Sequence, residues 1–411
     1  MYDVFMTSAK VPILSAAMLT SLGLIGMLGP FGTDVYLPAL PAMAQNLRVS
    51  SAHIELTLSA FTLGMAIGQF FLGALSDRFG RRVVLLLGGA LMTLAAAVGA
   101  ASPTAEMLIA LCFFMGVFGS AGTVNGRAVV ADLSHGNAAT RPFAILGLTI
   151  SVAPIIGPIG GTALMALGGW RAIFVGLAIF AALATLSIAI FVPESLAYSA
   201  RHRGGFKTTL VNSKRILTNR AYLTYAVVIW FGFGTMFAYI SSSSFIVQNN
   251  LHLPASGYAL IFGVNGCGVI LSSFITALIA KRTHPRRILL TGVVCQIVVI
   301  LALATIVLTH TVAIWTVWPT LFLLATSIGF ILGPATALAM AEVRFASGTA
   351  LALMGSVQFI FAGIAATLIG FLSSDALVSL TMVAGGMVFC VVLAVIIGTV
   401  SGHRAIRATT R

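Results

Sequence analysis

Long apolar stretches alternate with short polar or charged interruptions along almost the whole chain. A helix that crosses a membrane needs about 20 predominantly apolar residues, and twelve stretches reach that length. They occupy residues 12–37, 53–75, 83–101, 104–131, 142–167, 171–192, 221–247, 256–280, 286–308, 312–340, 346–371 and 376–400. The pattern therefore predicts an all-α integral membrane protein with twelve transmembrane helices.

The composition supports this prediction. Only 8% of the 411 residues are charged and 59% are hydrophobic, whereas soluble domains carry roughly 25% charged residues. Only helices and closed barrels satisfy every backbone polar group within lipid. Barrels are built from short strands of alternating polarity, so the continuous apolar runs favour helices.

The longest hydrophilic interruption divides the predicted spans into two sets of six. We therefore expect an N-terminal six-helix bundle at 1–192, a cytoplasmic connecting loop at 193–220 and a C-terminal six-helix bundle at 221–411. A basic turn at 73–82, between spans 2 and 3, has a counterpart at 281–287, between spans 8 and 9. Duplicated halves are typical of transporter folds, so two pseudo-symmetric bundles are predicted.

The net charge of +13 indicates topology rather than a nucleic-acid partner. With the N-terminus placed inside, all but three of the 22 Lys and Arg residues fall on one side of the membrane. The exceptions are Arg48 and Arg171 on the other side and Arg127 within a span. Cytoplasmic loops carry an excess of basic residues, so both termini are predicted to be cytoplasmic.

Four motifs resemble those of a known transporter family. The turn Gly73…Asp77-Arg78-x-Gly80-Arg81-Arg82 is similar to the signature loop between helices 2 and 3 of the major facilitator superfamily. Residues 153–161 are similar to its antiporter signature. The segments 33–41 and 169–174 resemble drug:proton antiporters of the bicyclomycin/chloramphenicol-resistance (Bcr/CflA) type.

This resemblance implies a major facilitator fold and proton-coupled export of small amphipathic compounds by alternating access across a bacterial inner membrane. The implied partners are a small-molecule substrate, protons and the lipid bilayer, with the proton gradient in place of a cofactor. We expect a monomer. Export of an endogenous metabolite, such as an amino acid, sugar or nucleoside, is the alternative. The sequence has no phosphate-binding Gly-x4-Gly-Lys-Ser/Thr loop, no metal-ligand cluster and no nucleophile–base pattern, so an enzyme is not expected.

Asp34 is the predicted proton-coupling residue. Most of the nine Asp and Glu residues lie at span ends, whereas Asp34 lies inside a predicted span with apolar residues before it. An ionisable group in a membrane span is a functional candidate, and desolvation favours the protonated form of a carboxyl group. Alternatively, span 1 ends earlier and Asp34 lies at a hydrated helix end. The chain departs from the family at Cys112 and Met115, where the resemblance leads us to expect Arg and Gln.

The basic turn is predicted to form a gate that locks one state through ion pairs between helix ends. The alternative is a solvated loop that only sets the topology. Arg127 is either part of a cytoplasmic network with Asp132 and Asp77 or lines the inner cavity in place of the missing arginine. The predicted gating residues are Asp77, Arg78, Arg81, Arg82, Asp132 and Arg127.

Small residues and prolines in span 5 are predicted to bend it and to seal a tight helix contact. The alternative is ordinary packing of small residues. The motif residues are Pro154, Gly157, Pro158, Gly160 and Gly161. In the superfamily, spans 1, 2, 4, 5, 7, 8, 10 and 11 line the pathway, and aromatic, methionine and amide side chains there suit a broad apolar pocket. The candidate substrate-binding residues are Tyr36, Phe61, Met65, Met115, Asn125, Phe237, Tyr239, Asn265, Gln358 and Phe361.

Overall fold

The computed structural model describes residues 14–134, 140–196, 198, 213–280, 282–343 and 347–409, and these contain helices and no strand. Most of the predicted connecting loop at 193–220 lies outside the described residues. The membrane-length helices are α1 (Ala16–Leu47), α2 (Ser51–Phe79), α3 (Arg81–Ala100), α4 (Ala105–Leu133), α5 (140–167), α6 (170–191), α7 (Arg220–Asn250), α8 (Ala255–Ile279), α9 (Pro285–Leu308), α10 (Ile314–Ala341), α11 (Ser347–Leu372) and α12 (Ala376–Thr409).

Helices α5 and α6 form a hairpin within one continuous helical stretch, Thr140–Phe191. Gly168 and Gly169 leave the helical region, and Gly169 has a φ of 68° that favours glycine. A Cβ atom placed on Gly176 would lie 2.5 Å from Leu164 Cδ1, whereas twelve residues of straight helix span about 18 Å. The chain therefore reverses at the glycine pair, and the prediction of twelve apolar helices is confirmed.

The first span is longer than the sequence predicted. It was expected to end at residue 37, but helical structure continues to Leu47 in four pieces: Ala16–Gly26, Leu28–Asp34, a 3-10 turn at Leu37–Ala39, and Leu40–Leu47. Pro38 and Pro41 each occupy the first turn of a piece, where no intrahelical amide donor is needed. The prolines therefore divide the helix without ending it.

The two halves meet along two helix pairs. Helix α2 packs against α11, where the Thr367 hydroxyl donates to Ser59 Oγ at 2.9 Å. Helix α5 packs against α8, and a Cβ atom on Gly266 would lie 3.2 Å from Ile155 Cγ1. We call the end that carries the 73–82 turn the basic end, and the end where α1 meets α2 the opposite end.

Candidate functional site

Asp34 lies at the break in the middle of α1. It ends the helical piece Leu28–Asp34, and its side chain is buried, with 4% exposure. The Thr33 hydroxyl donates to Asp34 Oδ1 at 3.0 Å. Because α1 continues to Leu47 and the side chain is buried, Asp34 does not lie at a hydrated end of the span. Its role in proton coupling stays a prediction.

The glycines of the span-5 motif bring α5 against this break. A Cβ atom on Gly157 would lie 3.1 Å from Asp34 Cβ, and one on Gly161 would overlap the carbonyl oxygen of Val35. A Cβ atom on Gly160, in contrast, would have no atom within 4 Å. The close approach of α5 to α1 therefore depends on Gly157 and Gly161.

The predicted bend of α5 is not marked by a break in its helical backbone. The residues with non-helical angles in this stretch are Gly168 and Gly169, well beyond Pro154 and Pro158. The carbonyl oxygen of Pro158 accepts a hydrogen bond from the Thr162 hydroxyl at 2.8 Å. Pro158 is buried and Pro154 is half-buried.

Two tyrosines of the second half lie on helices that contact the Leu37–Ala39 turn of α1, which follows Asp34. They are Tyr239 of α7 and Tyr258 of α8. Asn265 Nδ2 donates to the Tyr239 hydroxyl oxygen at 2.8 Å, and Trp318 Nε1 donates to Asn265 Oδ1 at 3.3 Å. We call these five residues the carboxyl–aromatic site.

The ring of Phe262 fixes the two tyrosines of the site. It stacks on Tyr239 at a centroid distance of 5.8 Å and contacts Tyr258 at 5.6 Å. The hydroxyl oxygens of Tyr258 and Ser243 are 3.3 Å apart. Aromatic pairs at these distances add stabilisation beyond that of buried area. The rings of Tyr239, Tyr258 and Phe262 therefore form one packed aromatic cluster.

The sequence did not single out Tyr258 or Trp318 as site residues. Trp318 was expected to mark a membrane interface because it lies near a span end with Trp315. Trp315 is 80% exposed, but Trp318 points inward to Asn265. The sequence signal that could have pointed to these residues was Asn265, because a buried amide needs hydrogen-bond partners.

The predicted lining residues of the first half mostly pack within their own bundle. Tyr36 stacks on Phe174 of α6 at 5.6 Å. Phe61 lies against Gly32 and Gly116, and Met65 Cε lies 3.0 Å from a Cβ position on Gly29. Met115 and Cys112, at the positions of the missing Gln and Arg, are fully buried. Asn125 Nδ2 donates to the Ala121 carbonyl at 3.0 Å within α4.

The predicted residues of the second half separate into two groups. Tyr239 and Asn265 belong to the carboxyl–aromatic site. Phe237 instead packs edge-on against Phe359 of α11. Phe361 stacks on Trp230 at 6.1 Å, and Gln358 is half-buried. Of the ten candidates, the structure places Tyr239 and Asn265 in the site around Asp34, and a role for the others in binding stays a prediction.

The basic turn forms a polar cluster centred on Arg81. Its Nη1 lies 2.6 Å from Asp77 Oδ1, and its Nε lies 3.3 Å from Asp132 Oδ2. The backbone amide of Arg81 donates to Glu194 Oε1 at 2.8 Å, and the Ser195 hydroxyl donates to Asp132 at 2.9 Å. This Arg81 cluster joins the basic ends of α2, α3 and α4 to the segment after α6.

The other predicted gating arginines have different environments. Arg82 Nη2 donates to the Ala189 carbonyl of α6 at 2.6 Å. Arg78 is exposed and its guanidinium lies 5.2 Å from the centre of the Phe79 ring. Arg127 is also exposed, and no ion pair to it occurs among the described residues. Arg81 therefore makes the contacts with Asp77 and Asp132 that one interpretation of the sequence gave to Arg127. Lining of the inner cavity by Arg127 stays a prediction.

Sequence comparison identifies relatives over most of the chain. The model of the Major Facilitator Superfamily matches residues 22–366. An uncharacterized MFS-type transporter, YdgK, of Bacillus subtilis is 31% identical over 375 residues, which are 90% of this chain and 93% of that protein. A bicyclomycin resistance protein homolog of Haemophilus influenzae is 28% identical, covering 92% of this chain and 94% of that protein.

Structural comparison agrees. A bacterial homolog to the human lysosomal transporter Spinster, in an inward-facing and occupied conformation, superposes with a TM-score of 0.71 at 15% identity. The match covers 94% of this chain and 96% of that structure. In the part of the chain that the structure describes, no cluster of potential metal ligands occurs. The twelve helices, the motifs and these relatives together show that the chain is a multi-pass membrane transporter, similar to proteins of the bicyclomycin-resistance type, that belongs to the Major Facilitator Superfamily.

Proposed function

We propose that this protein exports small amphipathic compounds across the bacterial inner membrane in exchange for protons. The basic end faces the cytoplasm, as the distribution of Lys and Arg favours. Transport proceeds by alternating access, in which the two six-helix halves rock around the carboxyl–aromatic site. The protein acts as a monomer and uses the proton gradient without a cofactor.

The position of Asp34 is the observation that carries this proposal. The acid lies on α1 of the first half, next to Gly157 and just before the Leu37–Ala39 turn that contacts the helices of Tyr239 and Tyr258 of the second half. Within the described residues, no Lys, Arg or His lies within ion-pair distance of it. Because an unpaired buried carboxylate is costly, the group holds a proton until a compensating ligand or water reaches it.

This arrangement supplies a coupling step. A proton that enters from the outside neutralises Asp34 and weakens its attraction for bound substrate. When the site faces the cytoplasm, a new substrate molecule competes for the carboxylate and the proton leaves. One group that binds either a proton or substrate links the two fluxes, because the two ligands exclude each other at the same carboxyl.

The surroundings of Asp34 favour apolar over strongly polar substrates. Tyr239, Tyr258 and Phe262 present aromatic surface. The nearby hydroxyls of Ser242 and Ser243 donate to carbonyls of their own helix at 2.7 and 2.8 Å. Their hydroxyl protons are therefore not free to donate to a sugar or nucleoside. The name of the Haemophilus influenzae relative, a bicyclomycin resistance protein homolog, supports a drug-like substrate.

Replacing Asp34 by asparagine tests the coupling role. The substitution keeps the shape and the acceptor oxygen for Thr33 but removes the exchangeable proton. We expect Asp34→Asn to abolish proton-driven drug efflux, measured in inverted membrane vesicles with and without a protonophore. It should also abolish drug resistance in a host that lacks its own pumps.

Glu106→Gln is the matched control. Glu106 lies at the opposite end, with a 71% exposed side chain that pairs with His53 at 3.4 Å, so its loss should leave efflux near the wild-type level. Full uncoupler-sensitive efflux by Asp34→Asn would contradict the proposal. Uncoupler-sensitive export of a metabolite, with no resistance to any drug of the panel, would favour the metabolite alternative.

A further inference from the structure

A second cavity lies at the opposite end, away from Asp34. Its volume is about 700 Å³, within the range of roughly 300–1,000 Å³ that is usual for sites of drug-sized ligands. It lies between the start of α2, the end of α7 and the α11–α12 connection. No residue of the carboxyl–aromatic site lines it.

Glu55 lines this cavity and has unused acceptor capacity. Its side chain is 97% buried, given its exposure of 3%, and its Oε2 atom has no hydrogen-bond partner among the described residues. No ion pair to Glu55 occurs there either. A buried carboxylate without a partner is strongly disfavoured, so the position is suited to a cationic group that arrives with a ligand.

Backbone carbonyls add to the negative character of the cavity. The last four residues of α11, 369–372, all line it, and the last four carbonyls of a helix have no intrahelical amide donor. A helix C-terminus also carries a partial negative charge. Acceptors are therefore available on the side of the cavity that faces Glu55.

Two capping side chains at the cavity already accept hydrogen bonds from the first amides of their helices. Ser50 caps α2 by accepting from the His53 amide at 3.2 Å. Asp375 caps α12 by accepting from the Leu377 amide at 2.8 Å, and it also accepts from Asn250 Nδ2 at 3.1 Å. Asp375 therefore uses its Oδ1 atom on the start of its own helix and on Asn250, and Glu55 is the more deeply buried acid of the cavity.

We propose that this cavity is a second binding site, for organic cations of drug size, with the positive group of the ligand against Glu55. The cavity lies where the α2–α11 pair ends, since Ala52 of α2 contacts Gly370 of α11 there. An exported cation would occupy it after leaving Asp34. This inference goes beyond the proposed function, because the site can bind a cation whether or not Asp34 couples transport to protons.

Binding of tetraphenylphosphonium tests the site, because its charge does not titrate. Purified full-length protein would be studied by equilibrium binding in the Asp34→Asn background, which removes the central acid. We expect Glu55→Gln to weaken the affinity for this cation by roughly tenfold, because the Coulomb attraction of the carboxylate for the cation is lost. Glu106→Gln, an acid at the same end but outside the cavity, should leave the affinity unchanged.

Chemical labelling provides a second readout that does not depend on tight binding. Ser374 lines the cavity and is exposed. In a chain without the four native cysteines, Ser374→Cys should react faster with a trimethylammonium methanethiosulfonate than with a sulfonate one. The added Glu55→Gln substitution should reduce this preference, and tetraphenylphosphonium should protect the thiol.

Unchanged cation affinity in Glu55→Gln, or labelling of Ser374→Cys that is insensitive to both charge and tetraphenylphosphonium, would overturn the inference. A change in the number of protons that Glu55→Gln exchanges per transported cation, with unchanged cation affinity, would also overturn the inference, because it would assign Glu55 to proton binding. None of these results depends on efflux by Asp34→Asn, so failure of this inference can be told apart from failure of the proposed function.

Discussion

Gly161 lies where α5 comes closest to the break in α1. A Cβ atom there would overlap the backbone carbonyl oxygen of Val35, and a backbone atom cannot move aside without shifting α1. We expect Gly161→Ala to destabilise the protein by about 1–3 kcal/mol, the usual range for overpacking, and to reduce efflux. Thermal unfolding in detergent measures the first effect and vesicle transport the second.

Gly160 offers a control one position away. Its Cβ position has no atom within 4 Å, and alanine is the better helix former by up to about 1 kcal/mol. Gly160→Ala should therefore unfold at the wild-type temperature or slightly above. Equal melting temperatures for the Gly161 and Gly160 variants would contradict the close approach of α5 to α1.

The limits of sequence-based prediction are clearest at Glu55. An acid four residues after the start of a helix is normally expected to be hydrated, and most acids of this chain lie at span ends. The cavity that Glu55 lines is completed by α7 and α11, which lie about 190 and 315 residues further along the chain. Asp34 was singled out because apolar residues precede it directly within a predicted span.

At the scale of helices, the Arg81 cluster joins the ends of α2, α3 and α4. Arg81 has a side chain that is 12% exposed and bonds to Asp77 and Asp132, so its removal leaves two acids without their shared cation. We expect Arg81→Gln to lower the melting temperature by several degrees, since lost charged hydrogen bonds cost about 1.5–3 kcal/mol, and to impair efflux. Both quantities can be measured on the same preparation.

Arg78 is the matched control for this prediction, because it belongs to the same turn but is exposed, with Phe79 as its contact. Arg78→Gln should keep the stability and most of the activity of the wild type. If both variants were equally active and stable, the turn would serve topology alone, as the alternative interpretation of the sequence holds.

The helices themselves were largely predictable, because membrane length and charge distribution depend on local sequence. The predicted gap between spans 5 and 6, residues 168–170, contains the reversal that the structure places at Gly168 and Gly169. The end of α1 was misplaced by ten residues, since Pro38 and Pro41 suggested a stop. Ion pairs between helix ends were predicted, but which arginine pairs with both Asp77 and Asp132 was not, because the choice of Arg81 over Arg127 depends on how α2, α3 and α4 meet.

At the scale of the whole molecule, the two halves are in contact at the opposite end. Gln248 Nε2 of α7 donates to the Pro38 carbonyl of α1 at 3.0 Å. Ala52 Cβ of α2 lies 3.1 Å from a Cβ position on Gly370 of α11. Alternating access requires these contacts to separate when the site opens to this side, so the structure represents a state that is closed at the opposite end.

A reversible cross-link at this end tests that requirement. Disulfides need Cβ atoms about 3.5–4.5 Å apart, so Ala52→Cys with Gly370→Cys should cross-link after a small adjustment, in a chain without the native cysteines. We expect the oxidised pair to lose efflux and a reductant to restore it.

The pair Gly89→Cys with Thr185→Cys is the control, because its Cβ positions are also 3.1 Å apart but join α3 to α6 within one half. A bond inside a rigid half does not oppose rocking, so the control should transport in both redox states. Continued efflux by the cross-linked Ala52–Gly370 pair would mean that α2 and α11 stay together at this end throughout the cycle, and the opening would then have to occur on the α5–α8 side alone.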